Sequence, residues 1–346
     1  MNIGQSEFEV RLLHPDEYGH WDEMVRALPT ATIFSESRWL TAVAEIMVCE
    51  VKIVAVFHGD HLVGGVPIRI SRRFGMPVAD GIPLTPTNSC IVVPTSTTCL
   101  SKMNSRLLAI TEAMASFLQT HYAYVILTHD PALIDIRSFN WLDWRSQVLY
   151  TYHIEMAKAD LANLSSTVRK NIRHAEKAGV TSEVSRDFRQ AHEPLVSTFA
   201  RQGAQLPLTA EQLVAFGERL GDDLVLLLAR SHDGRIIATE IILLDRPHKI
   251  AYRFLAGFDA TNGIRGVAAF LQWQGLIYCR DIGLEILDQV GADIKEVAAF
   301  KAELGGRLVP YYQISKAGLG YKLLNRAMLL GKRVTDLGRC RRRTID

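Results

Sequence analysis

Three consecutive apolar runs separated by short polar turns constrain the fold of this chain more than any other feature. The runs are residues 224–230, 235–244 and 249–256, and the turns between them read SHDG and DRPH. Runs of this length, rich in Val, Ile and Leu and bounded by turn residues, predict neighbouring antiparallel strands. A glycine-bearing loop and a helix over 267–281 follow. The sequence therefore predicts an α+β (mixed α/β) architecture.

The rest of the chain alternates between helical and strand-like segments in the same order. In the first half we expect helices over 15–28 and 103–120, and a helix capped by Ser35 or Ser37 that runs to about Met47. We expect strands over 50–57, 62–70 and 122–128, and a long irregular connection with short strands over 74–100. In the second half we expect helices over 161–178, 188–201, 209–220 and 295–304, with further strands over 150–156, 284–289 and 308–315. Although the halves share no evident residue-by-residue repeat, we expect two domains, 1–150 and 151–320. Residues 321–346 are then a basic C-terminal helix and tail.

Composition and charge exclude several classes of protein. Of 346 residues, 48% are hydrophobic and 22% charged, which suits globular cores and argues against a disordered chain. The formal net charge of +2 gives no global field for a DNA-binding protein. The five cysteines show no CxxC spacing, which fits a reducing compartment. With no secretory leader and no apolar stretch long enough to span a bilayer, a cytoplasmic protein is expected.

Motifs for metal and nucleophile chemistry are missing from the sequence. The pair His58 and His61 lies in a predicted turn without a third ligand. The sequence contains no GxSxG elbow, no HExxH and no Walker motif. A metal-independent protein is therefore expected.

The loop before the predicted helix over 267–281 is a candidate phosphate site. A strand that ends in a glycine loop and enters a helix presents free backbone N–H groups and the positive end of the helix dipole. The residues at this position are Arg265, Gly266, Val267 and Ala268. A loop that merely turns the chain is the alternative interpretation.

A second candidate is the predicted helix over 161–178. Arg169, Arg173 and Lys177 recur every four residues, so they form one basic stripe on a helix. Such a stripe suits a phosphorylated substrate or an RNA backbone. A solvated helix face, partly neutralised by Glu176, is the alternative.

Three ordered elements resemble the Fem-type peptidoglycan-bridge aminoacyltransferases and their shorter FemAB-like relatives in the GNAT superfamily. They are FSESRWL over 34–40, RKNIRHAEKAGV over 169–180, and LD at 287–288 followed by VAAFKAELGG over 297–306. Gly266 and Ala268 also match the last two fixed positions of the Q/R-x-x-G-x-G/A loop of GNAT enzymes, whereas Gly263 stands where Gln or Arg is expected. Further departures are QVG at 289–291 and EV at 296–297, and no long helical arm is inserted.

The resemblance implies tandem GNAT-like (acyl-CoA N-acyltransferase) domains, each a mixed sheet flanked by helices, sharing a central cleft. It implies transfer of an acyl group from acyl-CoA, or an aminoacyl group from aminoacyl-tRNA, to a small-molecule or lipid-linked amine in envelope or polysaccharide synthesis. It places the donor at Arg265–Ala268, and a phosphate-bearing substrate, with tRNA as one candidate partner, at Arg169, Arg173 and Lys177. Trp39 and Lys301 lie in the resembling elements and become substrate-binding candidates.

Transfer to an amine requires proximity, a proton acceptor and charge stabilisation rather than a covalent intermediate. Glu240, within an apolar strand, is the candidate base, because burial would raise the pKa of its carboxyl group. An outward-facing Glu240 on an edge strand is the alternative. Tyr252 and Arg253 on the next strand, and Asp288 at a strand end, are further candidates; for Tyr252 an aromatic packing role competes with catalysis.

Two questions stay open at this point. Acyl-CoA and aminoacyl-tRNA are both candidate donors, with acyl-CoA slightly favoured. The alternative function is a non-catalytic GNAT-like module that binds an envelope precursor or polysaccharide in an export or assembly complex. The basic tail, Lys332–Arg343, is interpreted as a terminus without fixed contacts, or as a segment that touches tRNA or an anionic membrane surface.

Overall fold

The computed structural model describes residues 7–328, which form two compact units. The first unit contains residues 7–20, 49–147 and 312–328, and the second contains 21–48 and 148–311. The basic tail Lys332–Arg343 lies outside the described residues. No helix within 7–328 combines the length and the apolar character that crossing a membrane requires.

Helices and strands alternate along both units. The helices are α1 (Tyr18–Ala27), α2 (Ser37–Ile46), α3 (Leu100–His121), α4 (Arg137–Trp141), α5 (Ser166–Lys177), α6 (His192–Arg201), α7 (Ala210–Leu220), α8 (Val267–Asp281) and α9 (Lys295–Glu303). The strands are β1 (Glu9–Leu12), β2 (Glu50–His58), β3 (His61–Arg73), β4 (Met76–Asp80), β5 (Ile91–Val92), β6 (Tyr124–Thr128), β7 (Arg145–Glu155), β8 (Thr181–Ser185), β9 (Leu224–Arg230), β10 (Ile236–Asp245), β11 (Ile250–Phe258), β12 (Ile286–Asp288) and β13 (Arg307–Ala317). Residues 319–328 are also helical.

The first unit is a mixed sheet with its strands in the order β1-β2-β3-β4-β6-β13, and β5 pairs with β3. β1 to β4 are antiparallel neighbours, β4 and β6 are parallel, and residues 313–317 of β13 run antiparallel to β6. α3 packs on this sheet through Ile110, Met114 and Leu118, which share a core with Val54 and Val125. Their four-residue spacing puts the three side chains on one helix face.

The second unit is a mixed sheet in the order β7-β12-β11-β10-β9-β8. β9, β10 and β11 are antiparallel neighbours, as the three apolar runs predicted. On one side, α5 inserts Val168, Ile172 and Ala175 into the same core as alternate residues of β9 and the apolar face of α8. β9 is buried along nearly its whole length, as expected of a strand covered on both faces. Each unit is thus a mixed sheet with helices, which confirms the predicted α+β class.

Residues 21–48, expected in the first domain, belong to the second unit. The Ile33 N–H donates to the Asp245 carboxylate at 2.7 Å, and the Arg38 guanidinium contacts the Asp223 carboxylate at 2.5 Å. Both partners lie about two hundred residues further along the chain. Residues 312–328, in turn, belong to the first unit.

Two predicted helices begin later than the sequence pattern suggested. Residues 161–163 form a 3₁₀ turn capped by Asp160, and Ser165 then caps α5 by accepting from the Val168 N–H at 3.1 Å. Residues 188–191 likewise form a 3₁₀ turn before α6. A side-chain cap therefore sets the start of α5, whereas α6 follows its 3₁₀ turn without a side-chain cap.

Candidate functional site

The candidate site lies where two neighbouring parallel strands of the second unit stop pairing. β11 pairs with β12 through Ile250–Tyr252 and Ile286–Asp288. Beyond that point β11 continues to Phe258, whereas β12 ends. Because the sheet loses its pairing there, a space opens beside the second half of β11.

This space is a cavity of about 360 Å³. Its walls come from β10, β11, the start of α8, and α6 and α9. The lining is mainly apolar, with Leu271, Val297 and Phe300 among its members. The polar groups on it are the side chains of Thr198, Gln202, Thr239, Glu240, Gln272, Glu296 and Lys301. An apolar cavity with a few convergent polar groups is the usual form of a small-molecule site.

Glu240 is fully buried at the cavity wall, so the outward-facing interpretation does not apply. Its Oε1 accepts from Arg253 Nε at 2.7 Å, whereas its Oε2 has no hydrogen-bond partner among the described residues. Burial raises the pKa of Glu240, and the charge of Arg253 opposes that shift. α8 crosses this carboxylate at Gly275, where a Cβ atom would stand 2.6 Å from Oε2.

Arg253 links the strands to the helix above them. Besides Glu240, it donates to the Gln272 carbonyl at 2.6 Å and to the Gln289 side chain at 3.3 Å. Gln289 is itself buried and donates to the Lys301 carbonyl at 3.1 Å. Gln272 and Gln289 were not among the sequence candidates. The signal that could have found Gln289 is its place directly after Asp288, at the end of a strand.

Lys301 also lines the cavity, and it is held by two backbone carbonyls. Its Nζ donates to Val290 O at 2.7 Å and to Gly291 O at 2.6 Å. Burial lowers the pKa of Lys301 to about 8, although the nearby Asp288 carboxylate opposes the shift. A large fraction of this amine is therefore neutral slightly above physiological pH.

The Asp288 carboxylate binds three neighbouring groups close to Lys301. Its Oδ1 accepts from the Thr151 hydroxyl at 2.5 Å and from the Val290 N–H at 2.7 Å, and its Oδ2 lies 3.3 Å from His153 Nε2. These contacts hold the turn whose carbonyls bind Lys301. Asp288 itself is not among the residues that line the cavity.

The aromatic candidates lie in the core of the second unit. Trp39 is fully buried and packs against Phe34, Phe216 and Phe254, with ring centroids 5.2 to 6.0 Å apart. A substrate contact for Trp39 is therefore wrong, because this side chain has no accessible surface. Tyr252 is 3% exposed, and its ring packs edge-on against Phe34 at 4.7 Å. The structure thus places Tyr252 in the packing role that competed with catalysis.

The predicted donor loop leads into the amino terminus of α8. Gly266 caps this helix with a φ of 88°, a conformation that favours glycine. The first helical bond runs from the Phe270 N–H to Gly266 O at 2.9 Å, so the N–H groups of Val267, Ala268 and Ala269 precede the helical ladder. Ala268 also lines the cavity. The positive end of α8 therefore lies at the cavity wall.

α5 lies directly against this loop. A Cβ atom on Gly266 would meet the Asn171 carbonyl oxygen at 2.1 Å, and Arg265 Nε donates to the Asn171 side chain at 3.1 Å. The basic stripe on α5 is divided: Arg169 donates to the Ala162 and Leu164 carbonyls, each at 3.0 Å. Arg173 and Lys177 are exposed. Arg169 is thus largely committed to the preceding turn, which leaves two cations facing solvent.

Metal ligands are not grouped anywhere in the described chain. Within 7–328, the His, Cys, Asp and Glu side chains form no cluster of three or more that could hold a metal ion. The groups that do converge on the cavity are a buried carboxylate, a lysine with a lowered pKa, and free helical N–H groups. That combination suits an anionic or polar ligand whose reacting atoms lie in a dry pocket.

Comparison with known families defines the class of the second unit. Residues 162–302 match the family model described as an acetyltransferase (GNAT) domain. The matched segment contains every residue that lines the cavity. The second unit therefore contains a GNAT domain, and its cavity lies inside that domain.

Solved structures extend the likeness to most of the chain. FemX aligns with a TM-score of 0.64 and 13% identity over 88% of this chain and 96% of FemX. The C-terminal domain of a putative lysylphosphatidylglycerol synthetase from Agrobacterium fabrum gives 0.59 and 14% over 91% of this chain and 96% of that domain. A tandem GNAT protein from the clavulanic acid biosynthesis pathway gives 0.54 and 11% over 90% of this chain and 98% of that one.

At such low identities the likeness concerns the fold. The domain match over residues 162–302 confirms the GNAT-like domain that the sequence motifs indicated for this half of the chain. Functionally curated protein sequences give no match to this chain.

Proposed function

We propose that this protein is an N-acyltransferase that transfers an acyl group from acyl-CoA to a primary amine in the cavity of the second unit. The observation that supports this most directly is that the amino terminus of α8 and the apolar cavity meet in the same turn. The free N–H groups at the start of α8 suit a diphosphate, and the cavity beside β11 begins at Ala268 in the same turn. A thioester extending from a diphosphate held there would enter the apolar cavity.

The residues of the cavity divide the chemistry between them. The acceptor amine attacks the thioester carbonyl, so that a C–N bond forms while the C–S bond breaks. We assign the amine proton to Lys301, which then returns it to the departing thiolate. A neutral Lys301 uses its two N–H bonds for the carbonyls of Val290 and Gly291, and its lone pair stays available to accept a proton.

We assign Glu240 to the electrostatics of the site. Its Oε1 is committed to Arg253, and its Oε2 lies beneath Gly275. It therefore compensates the buried guanidinium of Arg253, which in turn holds Gln272 and Gln289. Arg173 and Lys177 on α5 are available for a phosphate group on the acceptor or the donor.

A matched pair of variants at Ala268 tests the donor site. Ala268→Asp places a carboxylate where helix dipoles favour one, so the fold should be as stable as the wild type or slightly more so. The same carboxylate faces the diphosphate, and we expect affinity for coenzyme A to fall at least about tenfold. Ala268→Asn, similar in shape but neutral, is the control and should change affinity much less. Isothermal titration with coenzyme A and acetyl-CoA measures both.

The result also separates the alternatives. If coenzyme A species do not bind but aminoacyl-tRNA stabilises the protein against heat, the donor assignment is wrong and the peptidoglycan-bridge type of transfer replaces it. If neither binds, a non-catalytic module that binds an envelope precursor becomes the better explanation. Equal affinities for the Asp and Asn variants would refute the placement of the diphosphate at α8.

A further inference from the structure

Helix 319–328, in the first unit, turns its apolar residues towards solvent. Leu319 is 79% exposed, Leu323 69%, Leu324 45% and Met328 40%. At 100° per residue these four positions cover one continuous half of the helix. Single exposed leucines are ordinary, but a continuous aliphatic face on one helix marks a surface that another apolar phase covers.

Tyr321, which lies at the border of this apolar face, fixes the orientation of the helix. Tyr321 is buried and stacks on Tyr124 with ring planes 9° apart and centroids 4.9 Å apart. The Tyr321 hydroxyl also lies 3.4 Å from Arg73 Nη1. Because Tyr321 is anchored in the unit, the helix cannot rotate its leucines inward without losing this stack.

A cationic cavity of about 330 Å³ lies beside the same helix. Its charged lining residues are Arg145, Lys316, Lys322 and Arg326, together with one carboxylate, Asp143. Lys322 and Arg326 are exposed and flank the apolar face. The combination of a solvent-facing aliphatic face and adjacent Lys and Arg side chains is the pattern of a helix that lies in the interface of an anionic membrane.

We infer that helix 319–328 and the adjoining cationic cavity form a docking surface for an anionic phospholipid membrane, with headgroup phosphates at Arg145, Lys322 and Arg326. The leucines favour lipid over RNA, because an RNA backbone is bound by cations and aromatic rings rather than by aliphatic side chains. The sequence after residue 328 adds six Lys or Arg residues and two Asp residues within 18 positions, which further favours an anionic partner. This inference is independent of the proposed acyl transfer.

Vesicle co-sedimentation of the full chain tests it. We expect binding to vesicles that contain phosphatidylglycerol and little binding to pure phosphatidylcholine. Leu319→Gln/Leu323→Gln should weaken binding at least about tenfold, since two exposed leucines lose their apolar contact. Lys322→Gln/Arg326→Gln should weaken it by about fivefold for each cation removed. All four side chains are exposed, so these variants should fold.

Leu100→Gln is the matched control, because Leu100 is 73% exposed but belongs to the start of α3. The inference is overturned if the leucine pair and Leu100→Gln bind vesicles equally well. It is also overturned if the leucine variants instead change the molar mass measured by light scattering, which would identify a second copy as the partner. Loss of tRNA binding by the cation variants, with vesicle binding intact, would overturn it in favour of RNA.

Discussion

Replacement of Gly275 by alanine tests how tightly α8 is packed over Glu240. The new Cβ would stand 2.6 Å from Glu240 Oε2 and 3.0 Å from Ile242 Cδ1. Ordinary contact begins near 3.4 Å, so the carboxylate oxygen has to move by roughly 0.8 Å. That movement works against the 2.7 Å bond between Glu240 and Arg253.

The expected magnitude is the difference between two effects. Alanine in a helix interior is favoured over glycine by about 1 kcal/mol. Overpacking of a buried site costs about 1–3 kcal/mol, and here the atom that must move belongs to a buried ion pair. The difference is about 0–2 kcal/mol, and because the ion pair places the cost in the upper part of its range, we expect the free energy of unfolding of Gly275→Ala to fall by up to about 2 kcal/mol.

Chemical denaturation followed by circular dichroism measures this change. Gly19→Ala is the control, because a Cβ at Gly19 in α1 meets no atom within 4 Å. It should leave stability unchanged or raise it. If Gly275→Ala is stabilised like an ordinary helix substitution, the close approach of α8 to Glu240 is refuted.

A double-mutant cycle extends the test. In a Glu240→Ala background the clash is absent, so Gly275→Ala should gain stability there instead of losing it. The coupling between the two positions should then lie within the ~0.5–3 kcal/mol range of residues in direct contact. A coupling near zero would show that the two groups do not meet.

Four further outcomes follow from other parts of the structure. With Lys301 as the proton acceptor, kcat/KM should rise to a plateau above pH 8, and Lys301→Met should abolish this rise. Burial lowers the pKa of Lys301 from 10.5 to about 8, so between these pH values the unfolded chain binds more protons than the folded protein. The contribution of Lys301 to the free energy of unfolding should therefore increase from pH 8 to pH 10.5, which denaturation at a series of pH values measures. Burial also lowers the pKa of His129 from 6.5 to about 3, so its contribution to stability should be lost as pH falls through this window, and His129→Gln should remove that pH dependence. Gly266→Ala should lower the free energy of unfolding by at least ~2 kcal/mol, because the new Cβ would meet Asn171 O at 2.1 Å and the φ of this residue is positive. A melting temperature equal to that of the wild type would contradict this contact.

Much of the fold could be predicted because its signals are local. The runs at 224–230 and 235–244 are mostly apolar, and a turn that contains Asp and Gly separates them, so strand type and pairing follow from neighbouring residues. The assignment of 21–48 could not be obtained in this way. It depends on Asp245 and Asp223, and no local pattern indicates which distant carboxylate a backbone N–H or an arginine will meet.

The site was only partly predictable for a related reason. Glu240 was conspicuous as the one acidic residue inside an apolar strand, and the structure buries it at the cavity. The roles of Gln272 and Gln289 depend on three elements meeting at Arg253, which sequence spacing does not encode. Trp39 shows the opposite error: a residue in a recognisable motif was assigned to a substrate although it serves the core.

The contact between Gly266 and Asn171 has a consequence for how such a protein can diversify. The glycine meets the main chain of α5 rather than a side chain, so this contact does not depend on which side chains α5 displays to solvent. Positions such as Arg173 and Lys177 are then free to change while α8 keeps its place. A chain built this way can change the charge that one helix presents to solvent without disturbing the position of the next helix.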